Sequence, residues 1–401
     1  MLSGWLPLLI TLLIQSMVSM ALLTLPVMAP VAAKSLQVSP ALVGPYVAVS
    51  YGGALMATLL GGAMVARWGP IRVSQMGLLL CAAGLLLCAL PWLPAVVMGA
   101  VLIGWGYGPI TPASSHLLAR TTPADRMAII FSVKQTGVPL GGILAGVVVP
   151  LLLLQMPWQA GLALVAAACV LCALLAQQLR AAFDVDLQVT RIFRMGSFSQ
   201  PLRLVLAHRP LLLMAACSFV FSVVQMSLST YLVTYLYDDL AYGLVAAGLA
   251  LSLTQFGGVF GRIAWGYVAD RWLGASRMLT VLAVVMALCA LATAALSVAT
   301  PKLWVWIILI VFGASAIGWN GVYLAEVARQ SPPGKASMAT GGTLAFNFLG
   351  VVIGAPLFGA VSSWSGGYRA GFLMLAVVAV GAALLLILSH RKATAEPTAS
   401  P

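Results

Sequence analysis

Two basic residues stand inside long apolar stretches of the sequence, where a charge is costly. Arg262 lies eight residues before Asp270, and Lys134 lies eight residues after Arg126, which is about 12 Å along a helix. Ionisable residues at such depth usually serve function. Neither stretch holds a carboxylate at matching depth, so we expect an anionic ligand to supply the counter-charge. The planar guanidinium of arginine suits a carboxylate, because it pairs in a bidentate manner and keeps its proton.

Uncharged polar and aromatic side chains in other apolar stretches could orient the same ligand through hydrogen bonds. With Arg262 and Lys134, the predicted substrate-binding residues are Gln15, Tyr107, Gln225, Trp319, Asn320 and Tyr323. Each of these could instead join two helices, at about 0.6 kcal/mol per hydrogen-bonded pair. Likewise, Arg262 could cap backbone carbonyls, and Lys134 could extend its ammonium to the membrane surface.

The elements that carry these side chains are predicted to be membrane-spanning helices. Of 401 residues, 62% are hydrophobic and only 7% are charged, whereas charged residues make up about a quarter of a soluble protein. Apolar runs of about 20 residues recur and are long enough to cross a bilayer; they do not alternate as barrel strands do. The twelve predicted spans are 5–29, 41–65, 73–91, 95–118, 127–154, 158–179, 210–236, 242–268, 277–298, 303–326, 338–362 and 368–389.

The longest polar interval divides this all-α membrane chain into two halves of six helices. We predict an N-terminal bundle over 1–179, a cytoplasmic linker over 180–209, a C-terminal bundle over 210–390 and a disordered tail over 391–401. The halves correspond at a shift near 210, so that Gln15 matches Gln225 and His116 matches Glu326. Internal symmetry of this kind is typical of transporters. It would let Gln15 and Gln225 face each other across the pseudo-two-fold axis.

The net charge of +12 reflects membrane topology, because most arginines and lysines fall in the loops of one side. The positive-inside rule places those loops and both termini in the cytoplasm, with the chain in the cell inner (plasma) membrane. No nucleic-acid partner is needed to explain the charge, and we expect a monomer surrounded by lipid. The six cysteines lie within apolar segments and are predicted to be buried thiols; no metal or cofactor is expected.

Two loops repeat a pattern of glycine and arginine. The second-half copy holds Gly266, Asp270, Arg271, Gly274 and Arg277, and the first-half copy holds Gly62, Arg67, Gly69 and Arg72. The pattern resembles the loop signature of the major facilitator superfamily, which lies between helices 2 and 3 and between helices 8 and 9. The first copy departs from it, since Ala66 stands in the aspartate position. Glycines 257, 258, 261 and 266 further predict close packing of span 8 against a neighbour.

The resemblance implies two six-helix bundles that work by alternating access, with Asp270 and Arg271 locking the cytoplasmic side. Gly266, Gly62, Arg67 and Gly69 are then conformational residues of the two loops. His116 and Glu326, at the cytoplasmic ends of spans 4 and 10, would either couple protons or join ion-pair networks.

Steps of four from Arg262 to Gly266 to Asp270 resemble span 8 of monocarboxylate and oxalate carriers, and nitrate carriers also use an arginine in this helix. That resemblance implies a secondary transporter of a small, monocarboxylate-like anion, with proton symport as an option. Lys134 matches no position of the oxalate carriers.

Three other functions are compatible with parts of the sequence. A proton-driven exporter of drugs or metabolites is suggested by GVPLGG at 137–142, which is one residue shorter than an exporter signature. Copper import is suggested by Met17, Met20 and Met226, because thioethers suit copper(I). A membrane enzyme or sensor is the third, but the sequence contains no nucleophile–base set or phosphate loop, so we predict a protein that is not an enzyme.

Overall fold

The computed structural model describes residues 2–121, 130, 133–184, 199–332 and 336–395. In these ranges the chain is helical and contains no β-strand. Twelve helical segments are long and apolar enough to cross a membrane, which confirms the predicted twelve-helix membrane fold.

The first half contains spans 1 to 6. In order they are Leu2–Leu36, Val43–Trp68, Pro70–Cys88, the pair Leu93–Tyr107 and Ile110–Thr121 (span 4), Gly137–Leu153 and Trp158–Gln177. The second half contains spans 7 to 12. In order they are Arg209–Asp238, Leu244–Val268, Ala275–Ala294, the pair Lys302–Gly318 and Asn320–Gln330 (span 10), Ala336–Ser365 and Arg369–Ala395. Two short helices, Arg180–Phe183 and Ser199–Ala207, lie between the halves.

Several predicted boundaries differ from the observed ones. Span 1 runs to Leu36 rather than 29, because the prolines at 26 and 30 lie inside the helix without ending it; neighbouring helices in a membrane bundle can accommodate freed carbonyls. Span 12 continues to Ala395, beyond the predicted start of the tail at 391, and residues 396–401 lie outside the described ranges. The predicted start of span 5, at 127, also lies outside them.

Spans 4 and 10 are each broken in the middle. The breaks fall at Pro109 and at Trp319, which correspond at the shift of 210. Pro109 has no N–H to donate to the carbonyl four residues before it, and this favours a break in span 4. The internal symmetry read from the sequence is therefore present in the helix geometry.

The two halves pack against each other where glycines let backbones approach. Span 5 meets span 8 at Gly146 and Gly248, where a Cβ on Gly146 would lie 2.5 Å from the carbonyl oxygen of Gly248. Span 2 meets span 11 at Gly44, where a Cβ would lie 2.5 Å from the carbonyl oxygen of Ala355. Small residues at such seams are typical of membrane helix packing.

The close packing predicted for the span-8 glycines is found at three of the four positions. Added Cβ atoms at Gly257 and Gly261 would lie 2.3 Å from backbone oxygens of span 10, and one at Gly258 would lie 2.6 Å from Ile317. The prediction is wrong for Gly266, which has no atom of a described residue within 4 Å of an added Cβ. Gly266 lies beyond the crossing with span 10.

The halves are joined at the membrane side where spans 1 and 7 end, here called the Lys34 side; the opposite side is the Asp270 side. The Tyr231 hydroxyl donates to the carbonyl oxygen of Ala41 at 2.9 Å. The Lys34 ammonium lies 5.5 Å from the centre of the Tyr237 ring and attracts the carboxylate of Asp238. These contacts connect the first half to span 7 and hold the Lys34 side together.

Candidate functional site

Arg262 connects the two halves through backbone carbonyls. Its Nη1 donates to the carbonyl oxygen of Gln135, just before span 5, at 2.7 Å. Its Nε donates to the carbonyl oxygen of Ile317 in span 10 at 3.3 Å. A guanidinium has five N–H groups, and Arg262 makes no other hydrogen bond to a described residue. Arg262 therefore caps backbone carbonyls with two of its N–H groups, as the alternative predicted. Its other N–H groups are left to bind a ligand.

Local sequence explains why both carbonyls are free to accept. The helical partner of the Gln135 carbonyl would be the N–H of residue 139, and Pro139 has none. The Ile317 carbonyl lies in the last turn of Lys302–Gly318, where the final four carbonyls lack helical donors. The negative end of that helix dipole also favours a cation.

Lys134 is buried and does not extend to the membrane surface. Its side chain is 1% exposed, and its Nζ donates to Oε1 of Gln15 at 3.1 Å. Gln15 is fully buried, and its Nε2 donates to Oγ of Ser19 at 3.4 Å. Arg262 holds the carbonyl oxygen of Gln135, the residue that follows Lys134, so the two basic residues lie close to each other. The surface-seeking alternative for Lys134 is therefore wrong, and the predicted approach of two cations is found.

Neither cation has an acidic partner in the described part of the chain. The buried carboxylate of Glu326 is bound by Arg329 and Gln330, and Asp270 is exposed. A buried charge without a counter-charge costs several kcal/mol. Lys134 and Arg262 are thus a pair of cations held only by neutral oxygens, an arrangement that an anion would stabilise.

A small cavity lies next to this cation pair and is lined by polar groups from both halves; we call it the polar chamber. Its volume is about 30 Å³. Its polar lining residues are Ser19, Tyr51, Tyr107, Gln225, Ser229 and Gln255. The Tyr107 ring lies beside the Tyr51 ring, with their centres 5.7 Å apart, and both residues line the chamber. Lys134 and Arg262 do not line the chamber themselves; Lys134 is connected to its Ser19 through the side chain of Gln15.

Of the predicted uncharged binding residues, Tyr107 and Gln225 line the chamber, and Gln15 holds Lys134 beside it. Gln15 and Gln225 do not hydrogen-bond to each other. Gln225 instead accepts from Nε1 of Trp319 at 3.0 Å. The pseudo-symmetry thus predicts equivalent positions for the two amides but not their partners.

Trp319 and Tyr323 are not placed to touch a ligand in this structure. Their side chains are 0% and 1% exposed. The Trp319 ring packs edge-on against Phe221 at 5.3 Å and against Tyr323 at 5.1 Å. The aromatic stack inside the second half explains the difference from the prediction, and it makes Trp319 a residue that positions Gln225. Asn320 is half-buried and lies 3.5 Å from the Ile317 carbonyl that Arg262 also uses.

Sequence reasoning missed Ser19, Tyr51 and Gln255 as lining residues. One signal could have identified Gln255: it lies seven residues before Arg262, which is two helical turns on the same face. Ser19 and Tyr51 carry no such signal, because isolated hydroxyl groups are common in membrane helices.

The predicted gating residues are mostly at the Asp270 side and mostly unpaired in this structure. Asp270 and Arg271 are exposed and form no ion pair with a described residue. His116 is exposed and makes no hydrogen bond in the described part of the chain, so it does not contact Glu326. Gly62, like Gly266, has an open face, while Arg67 lies 5.7 Å from the ring of Trp68.

The first-half loop has an acid that the sequence pattern did not reveal. Asp184, which follows span 6, accepts from the backbone N–H groups of Ile71 and Arg72 at 2.8 and 2.9 Å. It thereby caps span 3 next to Gly69, whose φ of +87° favours glycine. Burial raises the pKa of the Asp184 carboxyl, and the two N–H donors oppose that shift. A carboxylate from the linker thus supports the loop in which Ala66 replaces the expected aspartate.

Comparison with known proteins places the chain among membrane transporters. The sequence pattern of the Major Facilitator Superfamily matches residues 8–342. A probable hexose phosphate transport protein of Chlamydia pneumoniae is 29% identical over 202 residues, which cover 49% of this chain and 43% of that protein. The matched stretch therefore spans less than half the length of that relative.

Solved structures of similar shape share the fold across nearly the whole chain. A bacterial homolog of the human lysosomal transporter Spinster, inward-facing and occupied, has a TM-score of 0.76 at 16% identity and covers 96% of each chain. A nucleoside transporter has a TM-score of 0.79 at 16% identity, covering 95% of this chain and 99% of its own. A POT family transporter in complex with 5-aminolevulinic acid has a TM-score of 0.79 at 13% identity, covering 97% and 96%. Identities this low establish the fold alone.

Proposed function

This chain belongs to the Major Facilitator Superfamily and is a multi-pass membrane transporter rather than an enzyme; from that premise we propose that it carries a small organic anion of the monocarboxylate type by alternating access. The observation behind this proposal is the cation pair, Lys134 and Arg262, which has only neutral oxygens as described partners. In an apolar bundle such a pair favours a negatively charged cargo.

The binding step follows from the unused donors of Arg262. A carboxylate would accept from the free guanidinium N–H groups and would neutralise part of the charge shared with Lys134. Tyr107 and Gln225 would orient the rest of the molecule from the chamber. Because Arg262 also holds carbonyls of both halves, binding at this residue bears directly on how the halves sit together.

The transport step uses the two membrane sides in turn. The Lys34 side is held by contacts between the halves, whereas Asp270 and Arg271 are exposed. We assign the Asp270 side to the cytoplasm of the inner membrane, because the loops there carry most of the arginines. The structure then corresponds to a state closed to the outside. Formation of contacts by Asp270 and Arg271 would accompany the opposite state, and an imposed proton gradient is a candidate driving force.

The experiment is uptake by the purified chain in proteoliposomes, with and without an inward proton gradient. The substrates are labelled lactate, gluconate, glucose 6-phosphate and uncharged glucose. We expect Arg262→Ala to abolish anion uptake and Arg262→Lys to restore only part of it, because lysine lacks the bidentate fork. Arg203→Ala, in the exposed part of the linker helix Ser199–Ala207, is the matched control and should transport normally. Normal anion uptake by Arg262→Ala, or uptake of glucose alone, would contradict the proposal.

A second candidate is a phosphate ester. The similarity to a probable hexose phosphate transport protein, which covers 49% of this chain, favours it, and two cations could share the charge of a phosphate group. Uptake of glucose 6-phosphate without uptake of either carboxylate in the same panel would support this candidate over the first.

A further inference from the structure

The polar chamber contains side-chain atoms that have no hydrogen-bond partner among the described residues. Gln255 is 4% exposed, and its one described hydrogen bond runs from Nε2 to Oγ of Ser229 at 3.4 Å. Its Oε1 accepts from no described residue. Gln225 accepts at Oε1 from Trp319, and its Nε2 donates to no described residue. One free acceptor and one free donor thus belong to amides that line the same cavity.

The hydrogen bonds in and beside the chamber are also long. The bonds from Gln255 to Ser229 and from Gln15 to Ser19 both measure 3.4 Å, at the outer limit for a hydrogen bond. In an apolar bundle, poorly satisfied polar groups cost free energy unless a ligand or water completes them. A cavity of about 30 Å³ has room for roughly one water molecule or one hydroxyl group.

Backbone packing keeps this space open for the Gln255 amide. A Cβ on Gly142 of span 5 would lie 2.6 Å from Cδ of Gln255. Because Gly142 has no side chain, the Gln255 amide fits between spans 5 and 8.

Span 1 connects the chamber to the cation pair. Ser19 lines the chamber one helical turn beyond Gln15, which holds Lys134. The four residues from Gln15 to Ser19 rise about 6 Å along the helix. A ligand with its anionic group at Arg262 and Lys134 would reach the chamber with atoms several bonds away from that group.

We propose that the cargo is a hydroxylated carboxylate, one hydroxyl group of which binds Gln255, Ser229 and Gln225 while its carboxylate binds the cation pair. This inference rests on the proposed function and names the class of substrate within it. A hydroxyl both donates and accepts, so it can satisfy the Gln255 oxygen and the Gln225 nitrogen together. A methylene group in the same place would leave both unpaired, and sites built for a hydroxyl discriminate strongly against such analogues.

The test compares two six-carbon carboxylates by isothermal titration calorimetry on the purified full-length chain. Gluconate carries hydroxyls along its chain, and hexanoate carries none. We expect gluconate to bind at least about tenfold more tightly than hexanoate. Hexanoate has no hydroxyl to pair with the polar groups of the chamber, and each buried polar group left unpaired weakens binding. Equal affinities, or tighter binding of hexanoate, would overturn the proposal.

Substitutions show which residues cause the preference for gluconate over hexanoate. Gln255→Leu should remove most of the preference for gluconate and leave hexanoate affinity within about twofold. Thr254→Val is the matched control, since Thr254 is the buried neighbour whose hydroxyl bonds the Ala250 carbonyl of its own helix; it should keep the preference. If Gln255→Leu does not yield folded protein, Ser229→Ala and Tyr107→Phe make the same test.

The outcomes separate this inference from the function on which it rests. If lactate and hexanoate bind in an Arg262-dependent manner and gluconate binds no better, the chamber holds only water and the hydroxyl proposal fails, while anion transport stands. If no carboxylate binds and uncharged glucose does, the anion proposal fails. A preference for gluconate that Gln255→Leu abolishes and Thr254→Val retains supports both.

Discussion

At the scale of single residues, the site depends on backbone groups that proline and a helix break release. Arg262 donates hydrogen bonds to the carbonyl oxygens of Gln135 and Ile317. These oxygens have no backbone N–H partner, because Pro139 lacks an N–H and because a helix ends at Gly318. The guanidinium is held in place by groups that carry no net charge. It can therefore be fixed in position and still attract an anion.

Pro139→Ala tests this arrangement. Alanine would supply an N–H to the Gln135 carbonyl, and that N–H would compete with Nη1 of Arg262. We expect the KM for the transported anion to rise about fivefold, since the change weakens one hydrogen bond of a charged group, with little change in protein yield. Uptake kinetics in proteoliposomes measure this. Pro150→Ala in the same helix should leave KM unaltered, and an unchanged KM in Pro139→Ala would refute the role of the freed carbonyl.

Sequence predicts part of this residue-scale detail and not the rest. Charges at Lys134 and Arg262 are conspicuous in apolar segments, and their mutual approach follows from the arrangement of spans 5 and 8. The partners were not predictable, because a backbone carbonyl leaves no trace in composition. Sequence also predicts that Trp319 binds substrate, whereas its ring packs inside the second half and positions Gln225. The direction in which an aromatic side chain points from a broken helix cannot be read from spacing alone.

At the scale of elements, span 5 is the helix on which the site is built. Its glycines face polar side chains of both halves: a Cβ on Gly137 would lie 2.8 Å from Cβ of Gln15, and one on Gly141 would lie 2.5 Å from Cβ of Ser19. Together with Gly142 against Gln255, they explain GVPLGG at 137–142 by packing. The likeness of this segment to an exporter signature then needs no exporter function.

Gly142→Ala should displace the Gln255 amide, because the added methyl group would lie 2.6 Å from its Cδ. We expect gluconate affinity to fall about tenfold and its preference over hexanoate to shrink, by the loss of one hydroxyl partner. Calorimetry on the purified variant measures both. Gly161→Ala, where the nearest atom is 3.7 Å away at the end of Met28, is the control. Retained preference in Gly142→Ala would argue against Gln255 as a ligand group.

At the scale of the whole molecule, two similar halves meet along glycine seams and close one membrane side. Length, composition and internal symmetry were enough to predict twelve spans in two bundles. They could not predict the Lys34-side contacts, in which the Tyr231 hydroxyl lies between Gly44 and Gly359. Nor could they predict the cap that Asp184 provides, since it joins residues more than a hundred positions apart.

Gly44→Ala should prevent the Lys34 side from closing. An added Cβ would lie 2.1 Å from the Tyr231 hydroxyl and 2.5 Å from the Ala355 carbonyl oxygen, and neither can move without opening the seam between spans 2 and 11. We expect exchange of labelled anion across proteoliposomes to fall at least about tenfold, because both states must be reached for transport. Gly52→Ala in the same helix, where no atom of a described residue lies within 4 Å of an added Cβ, should exchange normally. Normal exchange by Gly44→Ala would show that this seam does not close in the transport cycle.

The proposed transport cycle requires that Arg262 binds the cargo itself and does more than connect the two halves. Equilibrium binding of labelled gluconate to purified Arg262→Met tests this directly, because a residue that only joined the halves would alter transport and leave binding intact. We predict that binding falls by about a hundredfold or more, as expected when a charged hydrogen-bonding partner is lost, while Arg203→Ala binds as the unaltered chain does. Unaltered gluconate affinity in Arg262→Met would contradict the account.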